Sequence, residues 1–344
     1  MTKATAMQAL LAPKRLMDQH GRPHYGHFDG VVESLALDEF RYFTEMDKPA
    51  GTVAQYFNYK QFQFFTLNTQ RYIISGAIAD IRYLASGFLY VFDIKRNKLV
   101  ERTWLRPPKI GYHTEPSPFN GHAHIGCASN GLRIHIQQGL WHINIQTPMV
   151  SAKLTLTPAQ LSLPMSLCTP TAYSGWTYTQ KHNGLAVSGK LTVEHEPQPL
   201  NQALGSYDFS AGYMRRETSW RWASFNAHTA TGVVGANFAA GVNETGANEN
   251  VFWVDGKRFL VGAMHFEFSR LSPIRPWKIH SACGQVALRF KVVSVRKEQL
   301  NLGLLKSNFR QFIGYFDGVL IDEHQQQHVI SHQLGLCEDH YAKW

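Results

Sequence analysis

Apolar and polar positions alternate along much of the chain. Tyr72–Ile81, Leu132–Ile145, Leu185–Val193 and Phe259–Phe268 each carry apolar residues at near-alternate positions. A two-residue period puts such residues on one face of a β-strand. Gly, Pro, Asn or Asp bounds each run, the punctuation of an antiparallel meander. Helical periodicity is confined to Thr5–Met17 and Val32–Phe43. Strands that follow strands without intervening helices exclude a doubly wound α/β fold. The pattern predicts an all-β chain, sandwich or barrel, with a minor N-terminal helix.

The length of 344 residues points to two domains, at about 150 residues each. Glu196-Pro197-Gln198-Pro199-Leu200 is the best linker candidate. It divides the chain into an extension over 1–23, a first β domain over 24–200 and a second over 201–344. The halves share a faint pattern. In the first, Phe62-Gln63-Phe64-Phe65 leads through Gly76 to Phe92-Asp93; in the second, Trp222-Ala223-Ser224-Phe225 leads through Gly235 to Val254-Asp255-Gly256. Phe65 to Asp93 spans 28 positions and Phe225 to Asp255 spans 30. Two related β units in tandem would produce this.

Composition supports a folded β protein. The chain is 44% hydrophobic and 12% aromatic, which suits strands and leaves enough apolar surface for a core. The formal charge of +9 is spread over both halves, and its densest run, Lys95-Arg96-Asn97-Lys98, reads as a hairpin turn. No helix-turn-helix, zinc finger or aromatic-basic RNA-binding strand is present, so no nucleic-acid partner is expected. Diffuse positive charge fits solubility, or weak peripheral attraction to anionic headgroups at a membrane surface. Cys127, Cys168, Cys283 and Cys337 form no CxxC pair and read as free thiols in a reducing compartment. The run Ala6–Ala12 is too short for a secretory signal, and no apolar stretch reaches the roughly 18 residues of a membrane span. A cytoplasmic address is expected.

The richest chemistry lies in Tyr207-Asp208-Phe209-Ser210-Ala211-Gly212-Tyr213-Met214-Arg215-Arg216-Glu217-Thr218-Ser219-Trp220-Arg221-Trp222. On a strand, Trp220 and Trp222 face one side and Arg221 the other. Inside a barrel the two indoles would wall an apolar pocket and stabilise a transient cation through their π faces. The plainer reading is core packing, with Asp208 paired to Arg215 or Arg216.

This segment resembles domain-of-unknown-function family 2804, a bacterial family. The likeness continues through Gly235-Ala236-Asn237-Phe238, Glu249-Asn250, Val254-Asp255-Gly256, Pro276-Trp277-Lys278-Ile279, Phe312-Ile313-Gly314 and Gly335-Leu336-Cys337-Glu338. In the first half it includes Tyr59-Lys60-Gln61-Phe62 and Ile78-Ala79-Asp80. More distantly, the chain is similar to carotenoid hydratases and lipocalin-like hydrolases, through Tyr178-Thr179-Gln180-Lys181, Leu185-Ala186-Val187-Ser188-Gly189, Tyr207-Asp208, Gly212, Trp220 and Trp222. That resemblance implies two tandem lipocalin-like β-barrels. It also implies that Asp208 stands where the hydratases have their proposed proton donor. The chain departs from their motif, with Phe209 in place of His and Ser210 in place of Glu or Asn.

Protonating an isolated alkene takes a carboxylic acid kept neutral by burial, with aromatic walls for the carbocation. Asp208 is the first candidate acid and Glu249 the second. Tyr207, Arg216, Trp220, Trp222, Asn237, Asn250 and Glu338 are candidate ligand-binding residues. A structural ion pair is the alternative for each acid, and for Glu249 and Asn250 the alternative is hydrogen bonding to backbone at a barrel mouth. The histidines raise a metal question: His122 and His124 share a strand face near His135 and His142, His20, His24 and His27 cluster, and His324, His328 and His332 have helical spacing. None has the partners that make a metal site specific, and Val329-Ile330 with Gly335 favours a hairpin that separates the last three. No Walker loop or GxSxG is present, and no metal or cofactor is called for. Three readings follow. The chain is an enzyme that hydrates, cyclises or isomerises an isoprenoid, polyketide or fatty compound, a non-enzymatic carrier of a lipophilic ligand, or a packed protein-interaction module. The sequence does not set the oligomeric state.

Overall fold

The computed structural model describes residues 9–243 and 246–344. Nearly all regular structure is β, in two successive antiparallel barrel-like sheets. The alternating runs are strands: Tyr72–Asp80 and the long Gly175–Val193 contain two of them. Leu132–Ile145 is a hairpin, because Gln138 and Gly139, both at positive φ, turn Gly131–Gln137 into Leu140–Gln146. Phe259–Phe268 covers two short strands, Lys257–Leu260 and Met264–Glu267, at opposite edges of the second sheet.

Helix is scarcer than the periodicity predicted. Residues 5–8 of Thr5–Met17 lie outside the described residues, and the rest holds the strand Leu10–Leu11, paired with Phe28 and Asp29. Pro13 removes a helical N–H there. Val32–Phe43 contains only a single 3-10 turn, Leu37–Glu39; Val32, Leu35, Ala36 and Phe40 instead anchor an irregular segment in the first core. Among the described residues the α-helix is Thr52–Asn58, which no periodic signal marked.

In the first sheet, hairpin-connected neighbours run from Lys98–Arg106 back to Tyr59–Asn68. The sheet continues across a long-range seam to Leu204–Tyr213, then Gly175–Val193, then back to Tyr112–Thr114. Trp141, Trp176, Tyr178, Tyr207 and Phe209 fill its interior. The second sheet centres on Glu217–Thr229, Gln327–Lys343 and Leu305–Ile321, around Phe225, Phe238, Phe252, Trp277, Phe290 and Phe316. The chain passes from one sheet to the other within Met214–Arg216.

A third apolar layer joins the two sheets. Ile73, Tyr90, Phe92, Trp222, Ile313 and Leu336 are buried there, with Phe64, Phe88 and Trp220 against them. Each fully buried large side chain in such a layer contributes about 1.5–3 kcal/mol. A bulge pins the layer. The long strand breaks register between His182 and Leu185, with Gly184 at φ +73°. The bulge pushes Asn183 into the second sheet, where Nδ2 donates to Ser224 Oγ at 2.8 Å and to the Ala236 carbonyl at 3.0 Å. Gly184 N–H donates to Asn226 Oδ1 at 2.6 Å. Gly235 makes room for the bulge: a Cβ there would lie 2.6 Å from Asn183.

Candidate active site between the two sheets

Trp220 and Trp222 share a strand face, and Arg221 lies on the other side, 3.4 Å from Asp339. The indoles do not line a barrel interior, as the sequence reading had placed them. They face the first sheet, because residues of opposite parity on the same strand, Ala223 and Phe225, fill the second core. Each indole N–H has an acceptor: Trp222 Nε1 donates to Asn237 Oδ1 at 2.7 Å, and Trp220 Nε1 to Glu338 Oε1 at 2.7 Å. Asn237 Nδ2 in turn donates to the Glu249 carbonyl at 2.9 Å. Gln311 Nε2 holds the second Glu338 oxygen at 3.0 Å, and Tyr90, from the first sheet, donates its hydroxyl to Gln311 Oε1 at 2.6 Å. Phe64 meets Trp222 edge-on at 5.7 Å between ring centres.

Beside this wall lies a charged cluster built by both sheets. Asp208 faces outward from the first barrel and stands opposite Lys181 on the neighbouring strand, whose ammonium donates to its carboxylate. Glu249, from the second half, lies 3.6 Å from the same ammonium. Ser210 Oγ donates to Asp208 Oδ1 at 3.0 Å and lies 2.9 Å from Thr179 Oγ1. The Lys181 and Glu249 side chains are 6% and 2% exposed, whereas Asp208 is 24% exposed and forms the open end of the cluster. Burial alone would depress the Lys181 ammonium, but Asp208 and Glu249 outweigh it and hold the group above its ordinary pKa. Burial raises the Glu249 carboxyl, and the Asp208 charge adds to the rise against the pull of Lys181. Two carboxylates around one ammonium leave an excess negative charge, and it is the buried Glu249 carboxyl that holds its proton more tightly for it.

The other candidates lie elsewhere or serve the frame. Tyr207 points into the first barrel, opposite to Asp208, where it stacks on Trp141 at 4.5 Å and accepts from Gln180 at 3.0 Å. Arg216 is exposed at the crossover, and its carbonyl accepts the Trp344 N–H. Arg215, its neighbour, donates to the Gly241 and Val242 carbonyls, and the ammonium that Asp208 meets is that of Lys181. Asn250 bridges backbone, accepting from Ala239 N at 2.7 Å and donating to the Gly262 carbonyl at 3.0 Å. The sequence reading missed Lys181, Tyr90, Gln311 and Phe64 as site residues. Lys181 carried a signal, a lysine amid buried strand residues, but only the register with Asp208 gives it meaning.

The histidines form separate groups. His113, His122, His124, His135 and His142 make a ladder on the outer face of the first sheet, with neighbouring rings 5.3–6.5 Å apart. His324 lies in the turn between Ile321 and Gln327, whereas His328 and His332 lie on the strand Gln327–Lys343 that follows it. His328 lies 3.4 Å from Asp322, and His332 stacks on Tyr315 at 3.8 Å. Among the described residues, no group of three His, Cys, Asp or Glu side chains is arranged to hold a metal ion. Two surface grooves, of about 570 and 200 Å³, lie away from the indoles, one beside Arg22, Phe40 and Phe43 and the other beside Asn68 and His228. All four cysteines are free. Among the described residues no helix is long and apolar enough to cross a membrane.

A tandem pair of barrel-like sheets with a polar, aromatic-walled seam is the class of protein that this geometry defines. Solved structures share the architecture. Kievitone hydratase from Nectria haematococca matches with a TM-score of 0.52 at 13% identity, over 83% of this chain and 89% of that one. CghA, solved with Sch210972, matches at 0.53 and 8% identity over 97% of both chains. These identities show a common fold. No curated protein matches by sequence. The chain belongs to the family described as Domain of unknown function (DUF2804), whose profile matches residues 7–344.

Proposed function

We propose that the chain binds a lipophilic small molecule at the seam between its sheets and transforms it by acid-assisted hydration, cyclisation or isomerisation. The observation that carries this reading is the Asp208–Lys181–Glu249 cluster, a buried set with an excess carboxylate beside two indoles. Such a cluster retains a proton in an apolar setting, as protonation of an alkene requires. Asp208, the exposed member, delivers that proton. Glu249 stores it, Lys181 couples the two carboxylates, and Trp220 and Trp222 stabilise positive charge on the substrate. Asn237 and Glu338 fix the indoles. The structural neighbours support the reading: one is a kievitone hydratase, and another, CghA, was solved with Sch210972. The four unpaired thiols support a reducing, cytoplasmic address.

The direct Lys181–Asp208 ion pair favours a second reading, a carrier that uses the same seam without chemistry. Organic extraction of the purified protein followed by mass spectrometry tests both. A co-purifying lipophile, or Trp quenching by isoprenoid and fatty probes, is the expected result; a clean extract with no quenching overturns the binding site. Asp208→Asn then separates the readings. Lost conversion of the extracted compound with retained binding supports the enzyme, and unchanged conversion removes Asp208 from the acid role.

A further inference from the structure

Next to the acid cluster, the seam face of the second sheet holds a different constellation. Ser307, His340 and Glu338 lie on two paired strands, Leu305–Ile321 and Gln327–Lys343. Phe309 stands opposite His340, so Ser307, two residues before Phe309, shares its face; Glu338, two residues before His340, does too. Ser307 Oγ lies 3.0 Å from His340 Nε2. On the other side of the ring, Nδ1 lies 3.7 Å from Glu338 Oε1. His340 Nδ1 is buried and makes no hydrogen bond among the described residues, and the Glu338 carboxylate lies within ion-pair distance of it. Glu338 is itself fixed by Trp220 at 2.7 Å and Gln311 at 3.0 Å. Trp220 and Phe309 flank the imidazole at 4.3 and 5.0 Å between ring centres, which sets its plane.

We infer that Ser307 is an activated nucleophile, with His340 as its general base and Glu338 as the group that orients the imidazole, and that this face takes a carboxylic ester with an apolar acyl group. Serine, base and orienting carboxylate in that order are recognised by geometry rather than by sequence position. In the first step Ser307 Oγ bonds to the ester carbonyl carbon while its proton passes to His340 Nε2. The tetrahedral intermediate collapses, the C–O bond to the alcohol breaks, and the leaving alkoxide takes the proton from His340. Water, deprotonated by His340, then attacks the acyl-serine; the acid leaves and Ser307 recovers its proton. No redox change occurs, and water is the sole co-reactant. Trp220 and Phe309 supply the apolar wall for the acyl chain.

The molecule contains its own control. Ser162 Oγ lies 2.8 Å from His182 Nε2, a closer pair. Burial, with Arg258 nearby, pushes that imidazole down to about 3. His182 is therefore a poor base, whereas His340 lies beside the Glu338 carboxylate. Proximity alone predicts the greater reactivity at Ser162; the three-residue arrangement predicts it at Ser307.

The test is labelling of the intact chain by an alkyl fluorophosphonate, located by peptide mass spectrometry. The probe's phosphorus bonds to the serine oxygen, fluoride leaves and the base takes the proton. Phosphonylation at Ser307, with Ser162 unmodified, is expected. Ser307→Ala should abolish the label, and His340→Ala should slow it by about a hundredfold or more, the scale of a lost general base. Far-ultraviolet circular dichroism and Trp fluorescence confirm that each variant is folded. A folded wild-type chain unlabelled at Ser307, labelling at Ser162 as fast as at Ser307, or an undiminished rate in folded His340→Ala overturns the inference. The label reads the reactivity of Ser307 and not conversion of an extracted lipophile, so this test and that of the acid cluster fail separately.

Discussion

The interior of the first barrel and the seam between the sheets are both aromatic, yet they are held in different ways. Inside the barrel, the indole nitrogens of Trp141 and Trp176 and both ends of the Gln63 amide have no hydrogen-bond partner among the described residues. Packing fixes these groups. At the seam, each of the two indoles has an acceptor; Asn237 is fixed in turn by the Glu249 carbonyl, and Glu338 by Gln311 with Tyr90 behind it. The barrel interior is thus a core that tolerates a few unpaired polar groups. The seam is a polar network in which orientation is specified. Aromatic content is alike in the two regions; the state of these indole N–H groups is what differs.

Substitutions in the two regions should therefore fail differently. Trp141→Ala removes a fully buried ring and should lower stability by about 3–5 kcal/mol in chemical denaturation. If its effect is smaller than that of Trp222→Phe, the contrast between core and seam collapses. Lys181→Met should cost a similar amount at neutral pH, about 3–5 kcal/mol, because it strands two facing carboxylates. The pH dependence has a definite sign. The folded-state pKa of Glu249 is raised, so its contribution to stability is fully present below the ordinary carboxylate range and is lost as pH rises through the folded value. The Lys181→Met defect should shrink on acidification, read by thermal melts from neutral pH to about 4, near the ordinary Glu value; a pH-independent defect would separate Glu249 from Lys181. Asn183→Ala leaves Ser224 and the Ala236 carbonyl unpaired at the pin, and should cost about 1–3 kcal/mol. Limited proteolysis should detect a loosened seam before either core opens. Arg216→Ala, on an exposed side chain, should stay within about 0.5 kcal/mol and leave lipophile binding unchanged; any loss of binding would extend the site to the crossover.

Much of the fold was legible because a strand writes itself in a two-residue period. Tyr72–Asp80 and the Leu132–Ile145 hairpin appear in the alternation directly. The helix readings failed where long-range burial of Val32, Leu35 and Phe40 overrode local periodicity. For the site, alternation gave a shared face for Trp220 and Trp222 but not which side of the sheet that face meets. Asp208 was visible as an acid in an aromatic segment, whereas its ion partner was not. Lys181 is 27 positions away, and Glu249 arrives from the irregular segment before Val251–Val254 of the second half. Such pairings depend on register and on how two sheets dock, and neither is a local property. Ser307 and His340 were invisible for the same reason, since the strand pairing that joins them is set across a hairpin.

The seam strand of the first sheet, Leu204–Tyr213, has a kinetic consequence. It pairs with Tyr59–Asn68 across most of the first half of the chain, and contacts so distant in sequence form slowly. Asp208 lies on this strand, opposite Phe64. The charged cluster and its aromatic wall therefore come together only when that late pairing is made. A chain caught partway through folding would display hydrophobic strands without that cluster beside them, so the meeting of Asp208 with Lys181 and Phe64 would report barrel closure itself.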